Sequence, residues 1–314
     1  MGLKKIVLFW FVGLLCCKAQ EQSAQKDYFK SYDEKVIGSI YFFNTSNNFQ
    51  FTSTANGKTS YLDLIPNRRE QIGFSLSYKL IDISYGVSPL FFDVNKDNSN
   101  SRLVNFGTRF IIKQWMQTLL YSNQKGFYAV DETFSASFPR MRSIKIGGTT
   151  SYIFNPKFSF KTIANQNQWQ TKSSGSFIPT LSIYNTYLNL NDGNDANKSR
   201  IWLFTLAPSY YYNWVISNHV LVSSGIAVGA GFNDVDGDFS GVIESTINLK
   251  LGYNSDSFFT FVNLNYSNFV QDNNNPVRFN ENIATFRVTA GYRFDPPKKV
   301  KQLYDKGAKA IGIQ

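Results

Sequence analysis

The feature that most constrains this chain is a two-residue alternation of apolar and polar side chains, clearest over residues 281–294. One face of this segment carries Phe286, Val288 and Tyr292, and the other carries Arg287 and Arg293. Because successive side chains of an extended strand point to opposite sides of a sheet, the pattern predicts a β-strand with one apolar face. The same alternation recurs along most of the chain, in segments long enough to cross a bilayer.

A predicted hairpin over residues 71–88 indicates which face is the inner one. Its apolar face is aliphatic and aromatic, whereas the opposite face of its second strand consists of Asp82, Ser84, Gly86 and Ser88. A dry core cannot contain such residues, because each unpaired polar group buried there costs several kcal/mol. We therefore predict an all-β fold, a transmembrane antiparallel β-barrel of outer-membrane type, with apolar side chains facing lipid and polar ones facing the lumen.

Composition and charge exclude several other classes of protein. The mean hydropathy of −0.25 argues against a bundle of transmembrane helices, since the only long apolar run lies at the start of the chain. The net charge is +10, but the basic residues are scattered, so nucleic-acid binding is not expected. The expected partners are outer-membrane lipids, including anionic lipopolysaccharide, and the barrel-insertion machinery. The sequence predicts no oligomeric state.

The chain divides into four predicted segments. Residues 1–19 are typical of a secretory signal, with Lys4 and Lys5 before a short apolar run and a cleavage site ending at Ala19. The alternative is a lipoprotein acylated on Cys16 or Cys17. Residues 20–35 form a lead-in, 36–294 the barrel, and 295–314 a basic periplasmic tail that is partly helical. After cleavage at Ala19 the mature chain contains no cysteine.

The segment 158–174 breaks the alternation and decides the strand count. Without it the sequence gives about twelve strands, and with it thirteen. An even number is expected because both ends of a bacterial barrel lie in the periplasm. We therefore place the segment in a turn or inside the barrel, and its candidate plug or turn residues are Asn165, Gln166, Gln170, Lys172, Ser173 and Gly175. A bulge is predicted at Pro208, a strand extension plus a long exposed loop over 44–67, and long loops over 124–141, 189–199, 233–241 and 271–280.

Charged residues predicted to face the lumen form the main candidate site: Asp82, Lys145, Glu244, Lys250, Arg287 and Arg293. One interpretation is a mutually paired network that fills a narrow barrel. The other is a small conduit or ligand pocket that prefers anions, since twelve strands enclose a bore between a filled small barrel and an open porin.

No motif predicts a cofactor, a metal or a catalytic centre. The run Asp234-Val-Asp236-Gly237-Asp238 resembles part of a calcium loop, but Ile243 occupies the position of the bidentate carboxylate. The only histidine, His219, lies beside a predicted periplasmic turn, away from the outer rim where a barrel lipid hydrolase would place it. The functional hypotheses are a small-solute conduit or ligand-binding barrel, a structural or surface-interaction barrel with a filled lumen, and a lipid-acting enzyme.

Several motifs along the chain also carry a family resemblance: Asp27-Tyr28, Pro66-Asn67, residues 155–160, Asn165-Gln166, Gln170, residues 172–177, Tyr292-Arg293-Phe294 and Pro296-Pro297. In these motifs the chain resembles the Bacteroidetes cell-envelope proteins grouped as domain of unknown function family 4421. The resemblance covers nearly the whole mature chain and implies an outer-membrane barrel without an established activity. The family pattern usually carries an arginine where this chain has Trp169.

Overall fold

The structure, a computed structural model, describes residues 28–55, 58–66, 70–79, 81–92, 101–130, 135–164, 167–189, 198–272 and 277–310. The predicted signal, residues 1–19, therefore lies outside the described residues. Across these ranges no helix has both the length and the apolar character needed to cross a membrane.

Strands dominate the chain. In its first half they are β1 (Phe29–Ser31), β2 (Val36–Ala55), β3 (Lys58–Pro66), β4 (Glu70–Tyr78), β5 (Ile81–Val87), β6 (Arg102–Ile112), β7 (Trp115–Val130) and β8 (Ser135–Tyr152). The elements that follow are α1 (Phe160–Ile163), β9 (Gln168–Gln170), β10 (Ser174–Phe177), β11 (Thr180–Asn189), β12 (Lys198–Ala207), β13 (Ser209–Val215), β14 (Val220–Val235), β15 (Asp238–Asn254), β16 (Phe258–Gln271), β17 (Val277–Phe294) and α2 (Lys298–Ala310).

The sheet closes on itself because the last strand pairs with the first long one. β17 runs antiparallel to β2 from Phe294, opposite Val36, to Val277, opposite Ser53. The ring order is β2-β4-β5-β6-β7-β8-β11-β12-β14-β15-β16-β17, which gives 12 antiparallel strands. The predicted fold, an antiparallel β-barrel of outer-membrane type, is confirmed.

Two strands of the ring are interrupted at a proline without losing their register. β10 and β11 are separated at Pro179, and β12 and β13 at Pro208. Proline has no amide hydrogen to donate to the ladder, although the carbonyl oxygens of Pro179 and Pro208 still accept from the amides of Tyr152 and Val228, each at 3.3 Å. The pairing of β12 and of β13 with β14 keeps one register on both sides of Pro208, so the predicted bulge is wrong.

The two ends of the barrel differ in width. We call the end at which β2 begins and β17 ends the terminal end, and the opposite one the loop end. At the loop end β3 pairs with β2 on one side and with β7 on the other. There β3 takes the place of the shorter strands β4, β5 and β6, so ten strands instead of twelve surround the lumen.

Three of the predicted long loops are mostly strand. Residues 44–67 and 124–141 belong largely to β2, β3, β7 and β8, and 233–241 is a hairpin whose turn residues Asp236 and Gly237 have φ of 55° and 103°. The first two regions lose the alternation because inward positions there are apolar, as at Phe49 and Phe127. The predicted loops 189–199 and 271–280 lie partly outside the described residues.

The predicted lipid face is observed around the ring. Large apolar side chains alternate along the strands and stay exposed on the outer surface, among them Ile72, Phe74, Leu76, Ile146, Leu206, Ile226, Val228, Ile243, Leu249, Leu264 and Phe286. Exposed aromatic residues collect at the terminal end, including Phe154, Trp214, Tyr253 and Tyr292. Such a belt is stable only against the hydrocarbon of a bilayer.

Glycines on the inner wall make room for aromatic rings from the neighbouring strand. A β-carbon on Gly291 would lie 2.1 Å from the ring of Phe259, and that ring is fully buried. We expect Gly291→Ala to lower the free energy of unfolding by about 1–3 kcal/mol, because the ring has no space to retreat. Urea unfolding of the folded barrel in lipid vesicles measures this loss.

Gly107→Ala is the matched control for this substitution. Gly107 also faces the lumen, but a β-carbon added there would lie 3.4 Å from its nearest neighbour, the Ser84 hydroxyl. Equal losses of stability in the two variants would contradict the role assigned to the Phe259 ring.

Candidate functional site

The lumen contains all six charged residues singled out from the sequence, but they do not form one network. Lys145, Glu244, Lys250 and Arg293 are buried inside the barrel. All six belong to the described part of the chain, and no two of them form an ion pair with each other. They are distributed instead over successive layers between the loop end and the terminal end.

The layer nearest the loop end is apolar. We call it the loop-end seal, and it consists of Phe49, Leu64, Phe127, Ala129, Met141, Leu188, Ile201 and Phe279. The ring of Phe49 lies 5.5 Å from that of Phe279 and 6.3 Å from that of Phe127. These residues come from strands on opposite sides of the barrel, so the seal crosses the lumen. The narrower ten-stranded ring is what allows the side chains to meet.

An ion pair crosses the lumen below the seal. The ammonium of Lys145 on β8 donates to both carboxylate oxygens of Glu281 on β17, at 2.7 and 2.8 Å. The two side chains are only 7% and 6% exposed. The ammonium also lies 5.0 Å from the centre of the Tyr184 ring. Glu281 was not identified from the sequence, because it lies at the boundary between a strand and a predicted loop.

Glu244 lies in the same layer and has a neutral partner. The hydroxyl of Thr205 donates a hydrogen bond to its carboxylate at 2.5 Å. Asp82, at a different position on the wall, likewise accepts from the hydroxyl of Ser77 at 2.5 Å. Both carboxylates thus accept a hydrogen bond from a hydroxyl group of the wall: Ser77 is on the strand next to Asp82, whereas Thr205 on β12 reaches Glu244 on β15 across β14.

A cavity of about 280 Å³ occupies the middle of the lumen. Three cationic side chains line it, Arg109, Arg287 and Lys250, and its lining includes no carboxylate. Asn248, Asn263, Asn265 and Thr285 add amide and hydroxyl groups to the same wall. The arrangement is a small polar chamber with an excess of positive charge.

Aromatic rings, and not carboxylates, hold the two guanidinium groups. The Arg287 guanidinium lies 4.2 Å from the centre of the Tyr41 ring and 4.9 Å from that of Phe43. Arg109 lies 5.8 Å from the ring of Phe160, and its buried Nε has no hydrogen-bond partner among the described residues. The sequence did not single out Arg109, because the two faces of β6 alternate less distinctly.

Lys250 lies where the inserted helix α1 borders the cavity. Its ammonium donates to the carbonyl oxygens of Thr162 at 2.6 Å and Ile163 at 2.9 Å, and it lies 3.5 Å from the centre of the Phe261 ring. The two carbonyls belong to α1, which enters the lumen between β8 and β10. Lys250 therefore binds the inserted segment to the barrel wall.

We call the described residues 155–164 and 167–173 the terminal plug. The segment leaves β8 at the terminal end, folds into the lumen and returns to β10. Phe160 packs edge-on against Tyr211 of the wall at 5.3 Å, and Trp169 lies 6.2 Å from Phe261. Of the two positions that the sequence left open for this region, the structure places it inside the barrel.

Gln170 is the centre of the plug and has no exposed surface. Its amide nitrogen donates to the carbonyl oxygens of Tyr28, Lys157 and Lys172 at 3.1, 2.8 and 3.0 Å. Its amide oxygen accepts from the Ser159 amide at 2.8 Å and from Asn213 of the wall at 3.2 Å. One side chain thus joins both arms of the plug, the N-terminal lead-in and the barrel.

The other candidate plug residues have smaller structural roles. Ser173 accepts a hydrogen bond from the amide of Val215 at 2.9 Å. Lys172 is exposed, with its ammonium 5.4 Å from the Tyr28 ring, and Gly175 belongs to β10. Asn165 and Gln166 lie outside the described residues.

Trp169 fills the place where the family pattern usually has an arginine. Its side chain is buried, and its indole nitrogen donates to the carbonyl oxygen of Asn218 at 3.2 Å. The residue therefore packs the plug against the wall and its terminal turn, as an apolar anchor without charge.

The lead-in also contributes to this end of the lumen. β1 pairs with β9 of the plug, and the guanidinium of Arg293 lies 3.9 Å from the ring of Tyr32. Lys30 forms an ion pair with Asp256 in the turn between β15 and β16. The hydrogen bond from the Lys30 ammonium to the Asp256 carboxylate lowers the pKa of that carboxyl and raises the pKa of Lys30.

The described ranges of the chain contain no group of three histidine, cysteine, aspartate or glutamate residues that could hold a metal ion. His219 lies on a terminal-end turn, with Nδ1 2.8 Å from the carbonyl oxygen of Asn254. Asp236, in the turn between β14 and β15, accepts hydrogen bonds from Ser199 and Arg200 and so joins that turn to β12.

Comparison with protein families gives one match. Residues 24–294 match the family described as Domain of unknown function (DUF4421). No curated protein matches the chain.

Among solved structures the similarities are weak. They include the COG4313 outer membrane channel from Pseudomonas putida F1, with 8% identity and a TM-score of 0.37, covering 88% of this chain and 100% of that one. The translocator domain of the autotransporter NalP from Neisseria meningitidis has 10% identity and a TM-score of 0.38, covering 93% and 94%. Similarities this low carry no inference about what this chain does.

Proposed function

The chain belongs to the family described as Domain of unknown function (DUF4421), and from this premise we propose that it is an outer-membrane barrel whose lumen binds a small anion. The exposed apolar belt supports the location, because it matches a bilayer and the polar residues face inward. Outer-membrane barrels have both chain ends in the periplasm, so the terminal end, with the plug, faces the periplasm.

The observation that carries the proposal is the pair of guanidinium groups at the central cavity. Arg109 and Arg287 line it, and neither forms an ion pair among the described residues. Both side chains are partly buried, and Asp82, which lies opposite Arg109 on β5, forms no ion pair with either of them. A partly desolvated cation without a directly paired carboxylate gains free energy when an anion enters. Guanidinium groups bind carboxylate and phosphate through two parallel hydrogen bonds, which suits ligands of this chemistry.

The size of the cavity limits the ligand. At about 280 Å³ it lies at the lower edge of the range of ligand pockets, roughly 300–1,000 Å³. Inorganic phosphate, sulfate or a short dicarboxylate fits this space. An anion can enter the cavity only if the plug or the seal moves, because the plug lies on its terminal-end side and the seal on its loop-end side.

A second candidate function is a structural or surface-interaction barrel with a filled lumen. The cross-lumen ion pair Lys145–Glu281 and the loop-end seal favour it, because both tie opposite walls together. In a structural barrel the cavity binds no ligand, and the two arginines only pack against the aromatic rings beside them.

An anion titration separates the two functions. Binding of inorganic phosphate and of succinate to the refolded barrel is followed by calorimetry and by the unfolding temperature. We expect saturable binding, with a gain of about 2.7 kcal/mol in stability at a ligand concentration of 100 times Kd. In the double variant R109Q/R287Q both effects should disappear.

Lys306→Gln is the matched control, because it removes one positive charge from the exposed tail helix and leaves the lumen untouched. Anion binding should be unchanged in this variant. Absence of binding to the unmodified barrel, or equal binding in R109Q/R287Q, would reject the anion site in favour of the filled structural barrel. Planar-bilayer conductance then shows whether a bound anion also passes through.

A further inference from the structure

We propose that α2 is a membrane-interface helix that lies in the anionic phospholipid leaflet at the periplasmic side of the barrel. This inference rests on the outer-membrane location in the proposed function, but not on the anion site in the lumen. The helix belongs to the tail after Phe294, to which the proposed function assigns no role.

The sequence of α2 separates into an apolar and a basic side. At about 100° per residue, Val300, Leu303, Tyr304, Gly307 and Ala308 fall within one arc of roughly 140°. The remaining arc carries five lysines, Lys298, Lys299, Lys301, Lys306 and Lys309, and one acidic residue, Asp305. Short basic helices with one apolar side are typical of segments that lie in a membrane interface.

The barrel covers only part of the apolar side. The Tyr304 ring packs edge-on against that of Tyr78 at 5.3 Å, and Ala308 is partly buried. Leu303, at the other edge of the arc, is 76% exposed, and Val300 is 38% exposed. An apolar stripe therefore remains open beside the contact with the barrel.

The open stripe continues the lipid-facing belt. Tyr78 is the last outward residue of β4, after Ile72, Phe74 and Leu76. The helix that packs on Tyr78 thus lies at the edge of the belt, at the level of a bilayer interface. Lys79 fixes this position, with its ammonium 4.9 Å from the Tyr304 ring and 3.8 Å from the Asp305 carboxylate.

The charge of the helix indicates what kind of surface covers the exposed apolar stripe. Asp305 is the one acidic residue of α2 and is paired with Lys79, and among the described residues none of the five lysines of the helix forms an ion pair. Anionic headgroups attract such lysines at close range. A bilayer surface also supplies the apolar layer that Leu303 requires, so one occupant satisfies both sides of the helix.

The test uses the full chain, with Cys16 and Cys17 replaced by serine and with Leu303→Cys labelled by the fluorophore NBD. The barrel is inserted into phosphatidylcholine vesicles with or without phosphatidylglycerol. We expect the emission of the label to shift to the blue, and quenching by aqueous iodide to fall, most strongly with phosphatidylglycerol. A triple variant with Lys298, Lys299 and Lys301 changed to glutamine should lose about fivefold in the helix–surface equilibrium for each lysine removed.

The control label is placed at Gln302, the adjacent residue on the polar side, where emission and iodide quenching should remain those of an aqueous site. Equal emission and quenching at positions 302 and 303 overturn the proposal. Protection at position 303 that disappears when the protein is diluted with lipid also overturns it, because a second copy then covers the stripe. Neither result affects the anion titration, so the two proposals fail independently.

Discussion

Replacing Gln170 with leucine is expected to release the terminal plug from the barrel while the barrel wall stays folded. The substitution keeps a similar volume but removes every hydrogen bond of the amide group. Three carbonyl oxygens, the Ser159 amide and the Asn213 side chain each lose one hydrogen bond. The Tyr28 carbonyl keeps the Thr171 amide and Asn213 keeps the Ser159 carbonyl, whereas the buried Ser159 amide is left unpaired at a cost of roughly 1–3 kcal/mol. This loss falls on the contacts of the short inserted segment and not on the ladder of the wall.

Hydrogen exchange measures the release. Amides of residues 157–164 and 167–173 should exchange much faster in the Gln170→Leu variant, whereas those of β14 to β17 should not change. Conductance should stay low even then, because the loop-end seal is formed by other residues and still closes the lumen. Gln114→Leu makes the same chemical change at an exposed terminal-end turn and should leave the plug amides protected. Unchanged protection in Gln170→Leu would show that apolar packing alone holds the plug.

Breaking the cross-lumen ion pair is expected to cost about 3–5 kcal/mol of stability. Lys145→Met or Glu281→Gln leaves one charge buried without its partner, in a layer where both side chains are almost inaccessible to solvent. The double variant K145M/E281Q should recover most of this loss, because it removes both charges together. Urea unfolding of the four proteins in lipid vesicles gives the coupling energy as a double-mutant cycle.

The exposed pair Lys79–Asp305 is the control for this cycle. Its atoms lie 3.8 Å apart and Asp305 is largely exposed, so Asp305→Asn should change stability by no more than about 1 kcal/mol. If the single variants at Lys145 and Glu281 behave like Asp305→Asn, water reaches the pair and the lumen is open at that level.

The substitutions at Gln170 and at the ion pair address different layers of one closed lumen. The Gln170 hydrogen bonds hold the plug at the terminal end, and the ion pair holds the opposite walls together near the loop end. A ligand-binding or conduit function requires at least one of these layers to move, whereas a structural barrel requires neither. The stability of each layer is therefore directly informative about function.

Most of the outer wall of the barrel could be predicted from the sequence, except in β6 and in the regions that were predicted as loops. Each outward position faces the same apolar environment whichever strand it belongs to, so alternation alone identifies Phe286, Leu249 or Ile83 as lipid-facing. The same reasoning identified Lys145, Glu244 and Lys250 as inward-facing. It also predicted twelve strands, because turns and strand lengths are local properties of the chain.

The inner contacts depend on strands that are far apart in sequence. Lys145 and Glu281 are 136 positions apart, and no local pattern relates them. The loop-end seal was missed because its inward residues are apolar, which erases the alternation over residues 44–67 and 124–141. Arg109 was missed because its strand alternates weakly.

The sequence by itself determined a closed antiparallel wall with a lipid-facing outside, since a period of two is set by the geometry of a single strand. Only the tertiary structure decided what the wall encloses: the ten-stranded neck with its seal, the ion pair across the lumen, the cationic cavity and the inserted plug. The physical reason is that ring closure brings opposite walls together, and the free energy of those contacts depends on both partners at once.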